Sequence, residues 1–97
     1  MSYTIWPDGP TGDVLQQVNA ERYRQEELRA QGKFPASCAT PNGLTNAEKF
    51  SVLGEEVGEV ARHVTEERID PARLDRAKLR KELIEVAAVC VAWAESL

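Results

Sequence analysis

The sequence predicts an all-α domain of three helices, completed by further copies of itself. Apolar residues recur at spacings of three and four in three stretches, each bounded by capping or stop residues. No stretch alternates apolar and polar residues over the length of a strand. The last stretch, Val86 to Ala94, is apolar around its whole circumference, a surface that a helix at the edge of a three-helix monomer cannot leave bare. The simplest cover is a second copy, which also enlarges the core of a 97-residue chain.

Residues 1–12 hold Pro7, Gly9, Pro10 and Gly12 and read as an extended N-terminal arm, with Ile5 and Trp6 laid on a neighbouring apolar surface. Residues 13–97 form a single domain. Asp13 as N-cap, with Gln16 three residues on, and Gly32 as the stop predict helix 1 over 13–31. Residues 32–44 carry two prolines and two glycines and read as a loop. Thr45 and Glu48 have capping-box spacing and open helix 2 over 46–68. Asp70-Pro71, an N-cap followed by proline at the first helical position, opens helix 3 over 71–96.

Composition excludes several classes. A net charge of −4 with a pI near 5.0 argues against a duplex nucleic acid partner. No apolar run approaches the ~20 residues that span a bilayer, so no membrane role is expected. Met1 to Trp6 lacks a basic start and an apolar core, so a secretory leader is not expected. Two cysteines, Cys38 and Cys90, make neither a disulfide framework nor a zinc cluster, which fits a reducing cytoplasm. Cys90, inside the apolar run, reads as core.

Helix 2 places Phe50, Leu53, Val57, Val60, Ala61 and Val64 along one stripe, with Glu56, Glu59 and His63 on its flank and Glu55 and Glu66 pointing outward. His63, the one histidine, reads as a partly exposed helix-face residue. Gly58, in a helix interior where glycine costs about 1 kcal/mol, predicts a close approach. In helix 1 the face of Val14, Val18 and Leu28 is interrupted by Glu21 and Gln25. That face is either poorly buried or lines a polar pocket.

The chain has 16 acidic and 12 basic side chains, and setting aside Glu56, Glu59, Glu82 and Glu85 leaves them balanced. These four form two Glu-x-x-Glu pairs, whose Cβ atoms lie about 5–6 Å apart in a helix. If helices 2 and 3 pack antiparallel, all four carboxylates can converge, which is strongly unfavourable without protons or cations. Mg²⁺, with Mn²⁺ as a substitute, suits such an oxygen-only donor set and leaves positions open for phosphate oxygens. Lys78, Arg80 and Lys81 precede the second pair and Lys49 the first, as candidates to meet phosphate. A ferritin-like di-metal site needs Glu-x-x-His, and Val60 stands three residues before His63.

The stretch Leu53-Gly54-Glu55-Glu56-Val57-Gly58-Glu59-Val60, followed by Glu82-Leu83-Ile84-Glu85-Val86, resembles the MazG-like all-α nucleotide pyrophosphohydrolases, whose signature is E-x-x-E, a spacer, then E-x-x-D. Glu21 to Gln25 and Ala88 to Trp93 look like a phage and bacterial subgroup of that family. The resemblance implies a MazG-like helical bundle in a homodimer or tetramer. It also implies Mg²⁺-dependent hydrolysis of a (d)NTP to the monophosphate and pyrophosphate. It carries the metal and catalytic roles onto Glu56, Glu59, Glu82 and Glu85, with glutamate at 85 where the family has aspartate. Arg22, Arg24 and Gln25 become candidates for ribose, base or phosphate contact, with Lys49, Lys78 and Lys81 beside them as substrate-binding residues. The alternatives are a non-catalytic helical interaction module, or a nucleotide-binding regulator of the same fold.

Overall fold

A computed structural model describes residues 8–32 and 43–97, and within them all regular structure is helical. The helices are α1 (Pro10–Ala30), α2 (Asn46–Ile69) and α3 (Arg76–Glu95), with a 3₁₀ turn (Pro71–Arg73) between the last two. Ile5, Trp6 and Cys38 lie outside the described residues.

Helix α1 starts before the expected Asp13. Gly9, at φ 90°, is its N-cap and Pro10 occupies the first turn, where the missing N–H would have had no partner. The last three residues of the expected arm, Pro10 to Gly12, are therefore helix, and Asp13 sits in the first turn, where its charge complements the helix dipole. At the other end Gly32 adopts φ 76° and its N–H reaches Arg29 O at 2.9 Å, the stop expected of it. Helix α2 opens on the expected reciprocal cap: Glu48 N–H donates to Thr45 Oγ1 at 3.1 Å and Thr45 N–H to Glu48 Oε1 at 3.0 Å.

Asp70-Pro71 does not open α3. Asp70 Oδ1 accepts the Ala72 N–H at 3.1 Å and caps only the 3₁₀ turn; Leu74 and Asp75 are then extended, and α3 begins at Arg76. A proline at the first position suits a 3₁₀ turn as well as an α-helix. The downstream cap wins: Asp75 Oδ1 accepts the Lys78 N–H at 3.1 Å, while the Asp75 N–H is taken by His63 Nε2 at 3.2 Å.

Helices α2 and α3 form an antiparallel hairpin. At one end Trp93 Nε1 donates to Asn46 Oδ1 at 3.0 Å, Lys49 Nζ donates to Ser96 Oγ at 2.7 Å, and Phe50 meets Trp93 edge-on at 6.4 Å. At the other, His63 meets Asp75 and Glu82. Helix α1 packs on α3, fastened by Arg80 Nε to Gln17 Oε1 at 3.0 Å and Arg22 Nη2 to Glu95 Oε2 at 3.1 Å. Among the described residues the backbones of α1 and α2 do not pack on each other. The radius of gyration, 15.3 Å, exceeds the ~13 Å of a compact domain of this length.

The core is thin. Val18, Ala88, Val89 and Ala92 are its buried apolar residues, with Leu44, Val52, Leu53 and Trp93 packed around Val89 and Ala92. The expected apolar stripe of α2 is displaced: Phe50, Val57, Ala61 and Val64 are exposed, and the side facing α3 carries Lys49, Val52, Glu56, Val60 and His63. On α3, Ala88, Val89 and Ala92 turn inward while Leu83, Cys90, Val91 and Ala94 are exposed, so Cys90 is not core. No described helix is long and apolar enough to cross a membrane.

The two-way cap at α2 is solvent-exposed and independent of the core. Thr45→Ala is expected to cost about 1 kcal/mol of stability, read as a lower urea midpoint at an unchanged slope.

Candidate metal centre

With α2 turned so that its acidic flank meets α3, Glu56 and Glu59 stand one turn apart opposite Glu85. One ligand oxygen from each of the three lies within 4.8 Å of the others. Glu56 is half-buried and its Oε2 has no hydrogen-bond partner. Burial first, then the charges of Glu59 and Glu85, push the Glu56 carboxyl from 4.5 up to about 7. Helix α1 reaches the same place. Glu21 is held by Arg24, whose Nε is 2.8 Å from both carboxylate oxygens. The Glu21 charge also raises Glu56, and Glu85 and Glu56 help hold Arg24 above its ordinary value, after Glu21 itself. The interrupted face of α1 therefore borders a polar site.

Glu82 does not join the three. One turn earlier on α3 it is buried against His63, its Oε1 3.5 Å from Nδ1 and its Oε2 without a partner. His63 is only 6% exposed, contrary to its expected place on an open face, because the same rotation of α2 that buries Glu56 buries the residue two turns on. Glu59, Arg62, His63, Glu66, Lys78 and Glu82 line a cleft of about 230 Å³, so Glu59 belongs to both the cluster and the cleft. Glu66, expected to point away, is at that cleft and accepts from Arg62 Nε at 3.4 Å.

The expected substrate-binding residues divide. Lys78 lines the cleft, and Lys81 Nζ lies 3.9 Å from Glu85 Oε1 with its side chain largely exposed. Lys49 is buried two turns before Glu56, its ammonium on Ser96. Arg22 is buried between α1 and α3, committed to Glu26 at 3.0 Å, to Glu95 and to Gln25 Oε1 at 3.0 Å, so neither Arg22 nor Gln25 is brought to the carboxylates. Sequence reasoning passed over Glu21 as a site residue, although its place at the centre of an otherwise apolar face was the signal. Nor does Gly58 mark a close approach among the described residues: a Cβ there would meet none of them within 4 Å.

The donor set fits a hard divalent cation. Three carboxylates from two rigid helices converge, and one buried oxygen lacks the hydrogen bond that such an atom ordinarily makes. A larger cavity, about 690 Å³, is a separate, mostly apolar groove lined by Val14, Leu79, Leu83 and Ile84 with Glu67, Arg76 and Arg80, and none of the clustered glutamates is in it. No family model, curated protein or solved structure matches the chain.

The raised Glu56 carboxyl has a signed consequence. Its proton is held more tightly in the folded than in the unfolded chain, so its contribution to stability is full below about pH 4.5 and is lost as pH rises through about 7. In EDTA, Glu56→Gln is expected to melt above the wild type at pH 8, the gap closing toward pH 4.5. Parallel melting curves across that range would refute the clustered arrangement.

Proposed function

We propose that the chain is a Mg²⁺-dependent nucleoside triphosphate pyrophosphohydrolase of MazG-like fold, a cytoplasmic homodimer or tetramer that converts a (d)NTP to the monophosphate and pyrophosphate. The observation that carries this reading is the convergence of Glu56, Glu59 and Glu85 with a buried, unpartnered oxygen among them. These three residues would hold the cation. When bound, Mg²⁺ supplies positive charge that offsets the carboxylates and polarises phosphate oxygens. The rest falls to the chain's own side chains. Arg24 from α1 and Lys81 from α3, both largely exposed, stand beside the cluster as cations for the polyphosphate. Lys78 does the same from the cleft. Attack of water on the α-phosphorus breaks its bond to the bridging oxygen; pyrophosphate leaves with the electron pair, and a carboxylate takes the water's proton.

The oligomer is supported by a second exposed surface. Ala47, Ser51, Gly54, Gly58, Ala61 and Thr65 run down α2 at alternating spacings of four and three, all exposed, beside the ridge of Phe50, Val57 and Val64. Ser51 and Thr65 fold their hydroxyls back onto the Ala47 and Ala61 carbonyls at 3.2 and 2.8 Å, leaving the seam free of outward donors. Two glycines with open space above them lower helix stability and gain nothing from the described residues; a helix from another copy packed closely on them supplies the compensation.

Chromatography of products from a mixed (d)NTP pool with Mg²⁺ is expected to give monophosphates and pyrophosphate, and Glu59→Gln is expected to lose both hydrolysis and the Mg²⁺-induced rise in melting temperature. Diphosphate with inorganic phosphate would reject this reaction, and Mg²⁺ binding without turnover would leave the nucleotide-binding regulator. Sedimentation is expected to give a dimer or larger, split by Gly58→Leu. If no copy packs there, the same substitution leaves the mass unchanged and stabilises the helix, since leucine is the better helix former by nearly 1 kcal/mol.

A further inference from the structure

His63 is buried with both ring nitrogens engaged. Nε2 accepts the Asp75 backbone N–H at 3.2 Å, which requires an unprotonated Nε2 and places the proton of the neutral ring on Nδ1. Nδ1 faces Glu82 Oε1 at 3.5 Å, the outer limit of a hydrogen bond. The Glu82 side chain is itself 8% exposed and lines the cleft that Glu59 shares, and its other oxygen is buried and unpartnered. Asp75 is the N-cap of α3, the helix that carries Glu82. The imidazole therefore takes its tautomer from the N-cap of that helix and donates its one N–H to a carboxylate on the second turn.

We infer that His63 is a positioning residue. Locked as the Nδ1–H tautomer by the Asp75 N–H, it ties down Glu82 Oε1 and presents Oε2 to the cleft beside Glu59, as a further oxygen for the cation held there. The inference rests on the proposed function and adds to it a residue that touches neither metal nor nucleotide. A buried oxygen with no donor is costly to leave bare, and a cation in the cleft removes that cost. A ring fixed on both sides keeps the carboxylate aimed before the cation arrives.

The two jobs of the ring can be separated. The amide nitrogen of His63→Asn replaces Nδ1–H and loses the Nε2 acceptor. His63→Gln offers its carbonyl oxygen to the Asp75 N–H and loses the donor to Glu82. In the metal-free wild type at pH 8, ¹⁵N spectra of the ring are expected to give a protonated Nδ1 and a bare Nε2. Mg²⁺ titrations followed by melting temperature, with hydrolysis assayed alongside, are then compared. His63→Asn is expected to melt lower without metal yet keep the wild-type Mg²⁺ midpoint. His63→Gln is expected to melt near the wild type without metal, while its Mg²⁺ midpoint rises and its turnover falls by roughly 10–100-fold, the usual cost of losing a hydrogen bond to a metal-binding group. An Nε2–H tautomer overturns the inference. So do two variants with equal Mg²⁺ midpoints in a chain whose wild type responds to Mg²⁺, and then the proposed function survives. A wild type indifferent to Mg²⁺ overturns both.

Discussion

Everything in this fold follows from packing α2 on α3 by its acidic flank rather than by its larger apolar residues. Lys49, Glu56 and His63 lie two turns apart on the buried side of α2, where a three-helix protein ordinarily places leucine. Each meets a group on or beside α3: Ser96 for Lys49, Glu85 for Glu56, Glu82 and Asp75 for His63. The hairpin is thus held by polar contacts at both ends, yet two buried carboxylate oxygens along it, Glu56 Oε2 and Glu82 Oε2, remain unsatisfied. Low surroundings of water strengthen the good contacts and the unmet ones alike. A protein that keeps like charges together in such a place gives up stability there.

The same rotation accounts for the thin core. Turning Glu56 inward turns Phe50, Val57 and Val64 outward, and the apolar residues of α3 are then only half covered, with Ala88, Val89 and Ala92 inside and Leu83, Val91 and Ala94 outside. Site and exposed surface are two faces of one choice. The cost of an acidic interior is an apolar exterior, with Phe50, Val57, Val64 and Leu83 exposed on the single chain.

Much of the fold was legible because it rests on local chemistry. The reciprocal cap of Thr45 and Glu48, and Gly32 at positive φ, are interactions within three or four residues, and their spacing alone specifies them. The start of α3 was not legible, because Asp70-Pro71 and Asp75 both carry cap chemistry and the choice is made by His63, twelve residues before Asp75. Periodicity marked a stripe on α2 but could not say which edge of it would face α3. For that reason Glu56, Glu59 and Glu85 came together as their spacing suggested, while Glu82 went to a histidine expected at the surface. Arg22 and Lys49 looked like phosphate ligands because their charge was visible and Glu95 and Ser96, forty-seven or more residues away, were not.

Helix α1 touches the hairpin only through α3, yet its Glu21 and Arg24 reach the carboxylates that α2 and α3 hold. Its attachment rests on Val18, on Arg22 with Glu95 and on Gln17 with Arg80. Local opening of a protein follows the boundaries at which the fewest contacts are broken, and here that boundary separates α1 from an intact hairpin. The entrance to the site and its floor consequently belong to different cooperative units. A swing of α1 would uncover the acidic cluster without disturbing the three glutamates beneath it.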